Sequence, residues 1–270
     1  MRRAANAALQ IVGKVRVVYA GCGVNALSVL QDFANSTYCR KYVGLISVAH
    51  QAVLRLSSVS NMVDMKTTHT ALPFAGNTLH FVKFDPASFC EQDLLWLPHY
   101  AQLQHAGRKR KTEHLAGRIA AVYALREYGY KCVPAIGELR QPVWPAGVYG
   151  SISHCGATAL AVVSRQPIGI DIEEIFSAQT AAELTDNIIT PAEHERLAEC
   201  GLTFSLALTL AFSAKESAFK ASKIQAAQGF LDYQIISWNK QQIIIRLEDE
   251  QFAVHWQIKE KIVITLCQHD

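Results

Sequence analysis

The sequence predicts a mixed fold of α-helices and β-strands, and three observations favour it. An amphipathic helix is expected over residues 111–128, where Gly129 follows as a stop signal. Residues 252–258 alternate between apolar and other side chains with the period of two that is typical of a strand. Strand, long helix and paired strands also follow one another in both halves of the chain, divided near Arg165. The two halves are therefore expected to resemble each other.

Residues 1–61 differ in composition from the rest of the chain. They contain no Glu and carry seven Lys or Arg against the single acidic residue Asp32. Since the whole chain has a net charge of +3, residues 62–270 carry a net −3, which argues against a general attraction to nucleic acid. Met62 and Met65 follow directly, and either is a suitable start of translation. We expect residues 1–61 to be an upstream extension without a catalytic role, and a basic docking appendage is the alternative.

The overall composition favours a globular protein of the reducing cytosol. Half of the 270 residues are apolar, which is enough for a sizeable core. The seven cysteines are scattered without a C-x-x-C pair, as in proteins that carry neither a disulfide framework nor a zinc site. No run approaches the roughly 18 apolar residues of a membrane span.

The elements of the first half follow from local pattern. Alternation predicts a strand over residues 79–84, and a helix broken by Pro98 is expected over residues 94–105. The cluster Arg108–Lys111 opens the long helix, and an apolar run over residues 157–164 predicts a buried strand.

The second half begins with a predicted strand around residues 169–173. A helix follows with Thr190 as its N-cap and Pro191 at its first position. The next helix contains Phe212 and Phe219, both expected to pack inward. An antiparallel meander is predicted for the C-terminal part, over Tyr233–Trp238, Gln242–Arg246, Phe252–Ile258 and Ile262–Cys267.

Three carboxylates stand out as candidate metal ligands. Asp171 and Glu173 project from one face of their strand, because successive side chains alternate. Glu216 and Lys220 are four residues apart on one helix face, with Lys215 beside them. Carboxylates of this kind suit a hard cation such as Mg²⁺, and the lysines suit a phosphorylated substrate. In isolation, Asp171 and Glu173 are better explained as exposed residues at the end of a strand, and the alternative for Lys215, Glu216 and Lys220 is a salt-bridged helix surface.

Two further groups are candidates for phosphate binding. Arg118 lies two helical turns after Arg110, so both guanidinium groups can face one side and hold a phosphate. Ser153 and His154 lie at a strand end that follows two glycines, where a ligand can approach closely. They cannot easily form a nucleophilic pair, because adjacent strand residues point to opposite faces.

The order of these motifs resembles a known enzyme family. Gly150-Ser-Ile-Ser-His154, Gly169-Ile-Asp-Ile-Glu173 and Phe212-Ser-Ala-Lys-Glu-Ser-Ala-Phe-Lys220 stand in the order found in 4′-phosphopantetheinyl transferases, in particular the larger single-chain, pseudo-dimeric kind. The helix with Arg110 and Arg118 and the loop Trp144-Pro145 extend the resemblance, which covers residues 62–270.

The resemblance implies a fold and a reaction. The fold would be α+β, with two similar α/β subdomains in a pseudo-twofold arrangement, over residues 62–165 and 166–270, and coenzyme A in the cleft between them. The second subdomain would carry the metal site. The 4′-phosphopantetheine group of coenzyme A would move to a serine of an apo carrier protein, and adenosine 3′,5′-bisphosphate would leave.

The resemblance also implies residue roles. Asp171, Glu173 and Glu216 would coordinate Mg²⁺, and Lys215 and Lys220 would neutralise charge on the transferring group. Arg110, Arg118, Ser153 and His154 would hold the phosphates of coenzyme A, with Arg140 a looser match for a nucleotide contact. Glu216 is the first candidate for accepting the serine proton, and a neutral Lys220 is the second.

The implied partners are coenzyme A and the apo carrier domains of a siderophore non-ribosomal peptide synthetase. We expect a cytoplasmic monomer that binds no nucleic acid and associates at most peripherally with a membrane as part of the synthase. Two other interpretations stay open, a metal-dependent phosphohydrolase or nuclease and a non-catalytic module that binds coenzyme A.

Overall fold

The computed structural model describes residues 63–222 and 229–268, and the predicted extension over residues 1–61 lies outside them. The described residues form eleven strands, four α-helices and several short 3₁₀ helices. The strands are β1 (Thr67–Phe74), β2 (Asn77–Phe84), β3 (Ala135–Ile136), β4 (Pro142–Val143), β5 (Tyr149–Cys155), β6 (Thr158–Ser164), β7 (Ile168–Glu174), β8 (Gln234–Trp238), β9 (Gln242–Leu247), β10 (Glu250–Lys259) and β11 (Ile262–Gln268). The helices are α1 (Arg108–Glu127), α2 (Ala178–Ile188), α3 (Pro191–Glu199) and α4 (Phe204–Ala221). This mixture of helices and antiparallel sheets confirms the α+β class.

The first sheet is antiparallel, with the strand order β1-β2-β6-β5. A two-residue turn, Ala75-Gly76, joins β1 to β2, and both residues have positive φ, as the tight hairpin turn requires. Helix α1 covers one face of the sheet, and its buried side chains Leu115 and Ile119 share a core with Val82 of β2.

The second sheet is also antiparallel, in the order β7-β11-β10-β9-β8. The predicted meander is therefore confirmed, with boundaries within a few residues of those expected. Helix α4 packs on this sheet through small side chains, and its residues Ala211, Ala214 and Ala218 are fully buried.

The two sheets meet where β5 runs beside β7. The backbone N–H of Ile170 donates to Ser151 Oγ at 3.0 Å. An apolar cluster with residues from both sheets fills this region, including Leu160 of β6, Ile170 and Ile172 of β7 and Leu266 of β11. The expectation that Ile170 and Ile172 point into the core is confirmed.

Helix boundaries follow the capping chemistry of the sequence. Thr190 Oγ1 accepts from the N–H of Glu193, while the Glu193 carboxylate accepts from the N–H of Thr190 at 2.7 Å. This reciprocal cap with Pro191 in the first turn confirms the predicted start of α3.

Some local expectations were wrong. Residues 94–105 do not form a broken α-helix, because the chain makes two short 3₁₀ helices, Glu91–Trp96 and Tyr100–Leu103, on either side of Pro98. Phe219 is half exposed instead of packing inward. The small residues of α4 occupy the contact with the sheet, so the aromatic ring lies outside it. Strand β1 and helix α2 were not predicted.

Candidate active site

The centre of the candidate site is Asp171 on β7. Its Oδ1 atom accepts a hydrogen bond from Ser153 Oγ at 2.7 Å and forms an ion pair with Lys220 Nζ at 2.8 Å. Its Oδ2 atom is buried and has no hydrogen-bond partner among the described residues. Since an unpaired buried carboxylate oxygen is costly, Oδ2 is a candidate ligand atom for a cation.

Helix α4 brings Glu216 and Lys220 to this strand. Lys220 Nζ lies 3.5 Å from Glu216 Oε2 and donates to the carbonyl oxygen of Ile170 at 3.2 Å. The approach is close because Gly169 has no side chain, and a Cβ at this position would overlap the carbonyl oxygen of Ser217. Asp171, Glu216 and Lys220 are therefore brought together as the sequence predicted.

The electrostatics of this cluster are those of crowded carboxylates around one ammonium group. Burial and the neighbouring Asp171 and Glu216 raise the pKa of Glu173 to about 7, against the opposing effect of Lys220. Burial by itself would lower the pKa of Lys220, but the Asp171 and Glu216 carboxylates outweigh it and raise this pKa. Lys220 is thus an ammonium ion at neutral pH, which disfavours it as an acceptor for the serine proton.

These residues fit a divalent cation chemically. Three carboxylates lie near one another, that of Asp171 has an unpartnered buried oxygen, and burial and the other two carboxylates raise the pKa of Glu173 to about 7. Their ligand atoms do not all lie within 4.8 Å of one another, and Lys220 instead bridges Asp171 and Glu216. Asp171, Glu173 and Glu216 are therefore suited to an ion, provided that the Lys220 ammonium shifts.

In the described part of the chain, a different group meets that spacing, namely Asp64, Cys90 and Asp93. Here the carboxylate of Asp93 already accepts hydrogen bonds from the N–H groups of Asp64 at 2.6 Å, Met65 at 3.3 Å and Cys90 at 2.8 Å. Burial and Asp93 raise the pKa of the Cys90 thiol, which opposes the thiolate form that binds metals. The Asp93 carboxylate in this cluster therefore serves to satisfy backbone N–H groups.

The two arginines of α1 lie in contrasting environments. Arg110 is exposed, whereas Arg118 is buried and donates from Nε to the carbonyl of Pro134 at 2.9 Å and from Nη2 to that of Ala135 at 3.1 Å. Burial and Arg110 lower the pKa of Arg118 to about 10, so it stays charged at neutral pH. Its guanidinium group is held in one orientation by these carbonyl groups.

Ser153 and His154 face different partners, as their adjacent strand positions predict. Ser153 donates to Asp171, while His154 Nδ1 lies 3.8 Å from Glu113 Oε1 of α1. Burial lowers the pKa of His154, and Arg110 and Lys220 act in the same direction against Glu113. The imidazole therefore lies within electrostatic range of both the arginine helix and the carboxylate cluster.

Lys215 does not lie beside Glu216 and Lys220, so its predicted position is wrong. Its Nζ atom is buried, 2.9 Å from Glu193 Oε1 and 2.7 Å from the carbonyl oxygen of Ile188. One step along an α-helix rotates the side chain by about 100°, which carries Lys215 to another face of α4.

Arg140 is exposed in the turn between β3 and β4, where it adopts a positive φ of 65°. Within the described part of the chain, no hydrogen bond or ion pair links it to the other predicted residues. Sequence reasoning also missed Glu113, His114 and His99. Helical spacing would have found His114, which lies four residues from both Arg110 and Arg118.

Comparisons with known proteins agree with this geometry. Residues 99–164 match the family described as 4′-phosphopantetheinyl transferase N-terminal domain, and residues 167–267 match the 4′-phosphopantetheinyl transferase superfamily. The chain is 91% identical over 206 residues to enterobactin synthase component D of Escherichia coli O157:H7. The aligned residues cover 76% of this chain and 100% of that relative. The chain belongs to the 4′-phosphopantetheinyl transferase superfamily.

More distant members support the same assignment. Enterobactin synthase component D of Salmonella typhi is 58% identical over 184 residues, which cover 68% of this chain and 79% of that protein. The 4′-phosphopantetheinyl transferase PptT of Mycobacterium tuberculosis is 34% identical over 121 residues, or 42% of this chain and 51% of that protein.

As a 4′-phosphopantetheinyl transferase, the protein moves the phosphopantetheine group of coenzyme A to a carrier protein. Membership of a transferase family favours this interpretation over a phosphohydrolase or a binding module. None of the helices in residues 63–222 and 229–268 has the length and apolar character that a membrane crossing requires.

Proposed function

We propose that this phosphopantetheinyl transferase activates an enterobactin synthase by modifying a serine of its apo carrier domains. The observation that carries the proposal is the 91% identity to enterobactin synthase component D across the full length of that relative. The products would be the holo carrier domain and adenosine 3′,5′-bisphosphate.

The proposal includes Mg²⁺ held by Asp171, Glu173 and Glu216. When bound, the ion would polarise the pyrophosphate and stabilise the negative charge that develops on it. Ser153 orients Asp171 through the hydrogen bond to Oδ1, which leaves Oδ2 for coordination. Lys220 supplies a fixed positive charge next to the transferring group, since its neighbours keep it protonated.

Glu216 is the proposed acceptor of the serine proton. It is partly exposed, so an incoming hydroxyl group can reach it, and it lies on the face of α4 that also carries Lys220. Lys220 is excluded from this task in the proposal because an ammonium ion has no free lone pair.

The phosphates of coenzyme A are proposed to bind along α1 and the end of β5. Arg118 is oriented by backbone carbonyls, Arg110 is free to close over a ligand from the surface, and His154 adds a polar group between α1 and the carboxylate cluster. A role for Arg140 in nucleotide contact and one for Lys215 in charge neutralisation remain predictions without support from their positions.

The finer organisation is also a proposal. We assign residues 62–165 and 166–270 to two related subdomains, and we expect a cytoplasmic monomer that binds no nucleic acid. Peripheral membrane association would then come only through the synthase.

The test is mass spectrometry of an apo carrier protein after incubation with the enzyme, coenzyme A and Mg²⁺. A gain of about 340 Da, one phosphopantetheine, is expected, and it should disappear in EDTA and with Glu216→Gln. Glu195→Gln, at an exposed position of α3, is the matched control and should keep the wild-type rate. Full transfer in EDTA would refute the metal site, and no transfer to any enterobactin carrier domain would refute the proposed function.

A further inference from the structure

A pair of histidines lies beside the two arginines of α1. His114 is four residues after Arg110 and four before Arg118, so the three side chains share one helix face. His114 Nε2 lies 2.9 Å from Nε2 of His99, and the two rings are nearly perpendicular, at 84°. His99 comes from the segment between the short 3₁₀ helices and is 9% exposed.

The surroundings keep both rings neutral. Burial and Arg118 lower the pKa of His99 to about 4. Burial lowers the pKa of His114 to about 3, together with Arg118, His99, Arg110 and His154. Among the described residues, the titratable neighbours that shift these two pKa values are Arg110, Arg118 and His154, which are cationic or become so on protonation. Near neutral pH, a single proton is therefore shared between the two Nε2 atoms.

This hydrogen bond restricts the tautomers of the pair. One Nε2 atom must donate and the other must accept. His99 Nδ1 is buried and has no partner among the described residues. His114 Nδ1 makes no hydrogen bond there either, and it is not fully buried, since His114 is partly exposed.

An anion placed next to Arg110 and Arg118 accepts hydrogen bonds only, so a ring nitrogen that contacts it must carry a proton. We propose that His114 Nδ1–H is a further donor to the phosphate held by Arg110 and Arg118. His99 is the positioning residue, because its Nε2–H donates to His114 Nε2 and thereby keeps the proton of His114 on Nδ1. The inference rests on the proposed binding of coenzyme A phosphates at α1.

The arrangement gives the phosphate site a directional donor without a third full charge. Loss of a charge-assisted hydrogen bond of this type should weaken the affinity about tenfold or more. His114 lies on α1 and His99 on the segment before it, whereas the carboxylate cluster lies on β7 and α4, so the effect should fall on the KM for coenzyme A and leave kcat nearly unchanged.

Variants separate the binding residue from the positioning residue. His114→Phe removes the donor and should raise KM about tenfold. His99→Leu removes the fixed tautomer and should raise KM by a smaller factor. His99→Gln should restore the wild-type KM, because an amide N–H can replace Nε2–H as the donor to His114. The exposed His105 provides the matched control, His105→Gln. Thermal unfolding identifies any variant that fails to fold.

A second readout uses nitrogen NMR of histidine rings in the full-length protein, with adenosine 3′,5′-bisphosphate as the probe. The expected result is a neutral His114 with the proton on Nδ1, whose Nδ1 signal shifts when the probe binds, both in the wild type and in His99→Gln. An Nε2–H tautomer, or a His114 signal that is unchanged at saturating probe, would overturn the inference. Failure of the proposed phosphate site at α1 looks different, since the probe would then not bind at all, and failure of the proposed transfer reaction would leave the carrier protein without added mass.

Discussion

The buried ion pair between Lys215 and Glu193 supports a specific prediction about the candidate site helix. Both side chains are almost completely inaccessible, and Lys215 Nζ also donates to the carbonyl oxygen of Ile188 at 2.7 Å. Glu193 Oε1 accepts in addition from the N–H of Ile235 at 2.7 Å. The pair thus ties α4, which carries Glu216, to helices α2 and α3 and to strand β8.

Lys215→Met should destabilise the protein by about 3–5 kcal/mol, because it leaves the carboxylate of Glu193 buried without its cation. The double variant Lys215→Met with Glu193→Gln should recover part of this loss, since neither side chain then carries a charge. The measurement is urea unfolding followed by circular dichroism, with Lys83→Met on the exposed face of β2 as the control. The control should change the free energy of unfolding by less than about 0.5 kcal/mol.

Transfer activity decides between anchoring and catalysis at Lys215. If Lys215 anchors the helix, the folded fraction of Lys215→Met should keep most of the wild-type kcat. A variant of unchanged stability that has lost transfer would refute this reasoning and restore the role in charge neutralisation that the sequence pattern indicated.

Three further predictions concern acid stability, packing and the metal site. In the folded protein the pKa values of His99 and His114 are about 4 and about 3, below the value of 6.5 in the unfolded chain. The unfolded state therefore binds protons first as the pH falls. Each histidine should remove up to about 1.4 kcal/mol of stability per pH unit between pH 6.5 and pH 4. Denaturant titrations at several pH values should show that the free energy of unfolding falls less steeply with decreasing pH in His114→Gln than in the wild type. An identical pH dependence in the two proteins would contradict this prediction. Gly169→Ala should cost more than about 3 kcal/mol, because its Cβ would meet the backbone of α4, whereas Gly107→Ala, with open space around it, should be tolerated in the same unfolding assay. Asp171→Asn should abolish transfer and weaken Mg²⁺ binding in calorimetry, and unchanged binding would place the ion elsewhere.

Local periodicity and motif order account for the parts of the molecule that were predicted correctly. The alternation in residues 252–258 lies within β10, and the amphipathic pattern after residue 111 lies within α1, because each pattern depends on neighbours in the chain. Asp171, Glu216 and Lys220 could be grouped from the sequence because the motifs that carry them occur together in one enzyme family.

The exposure of the aromatic residues of α4 could not be predicted from local periodicity. Spacing placed Phe212 and Phe219 on one face of α4, but it could not show where that face stops touching the sheet. Ser217 and the alanines fill the contact, since the backbone of α4 approaches that of β7 at Gly169, and this leaves Phe219 half exposed.

The sequence by itself determined the α+β class, most of the strands and long helices, the enzyme family and the carboxylates of the candidate metal site. Only the tertiary structure decided that Lys215 pairs with Glu193, that Arg118 is oriented by Pro134 and Ala135, and that His99 binds His114. The physical reason is that these contacts join residues separated by 15 or more positions. Their geometry depends on how helices pack on sheets, which no local pattern encodes.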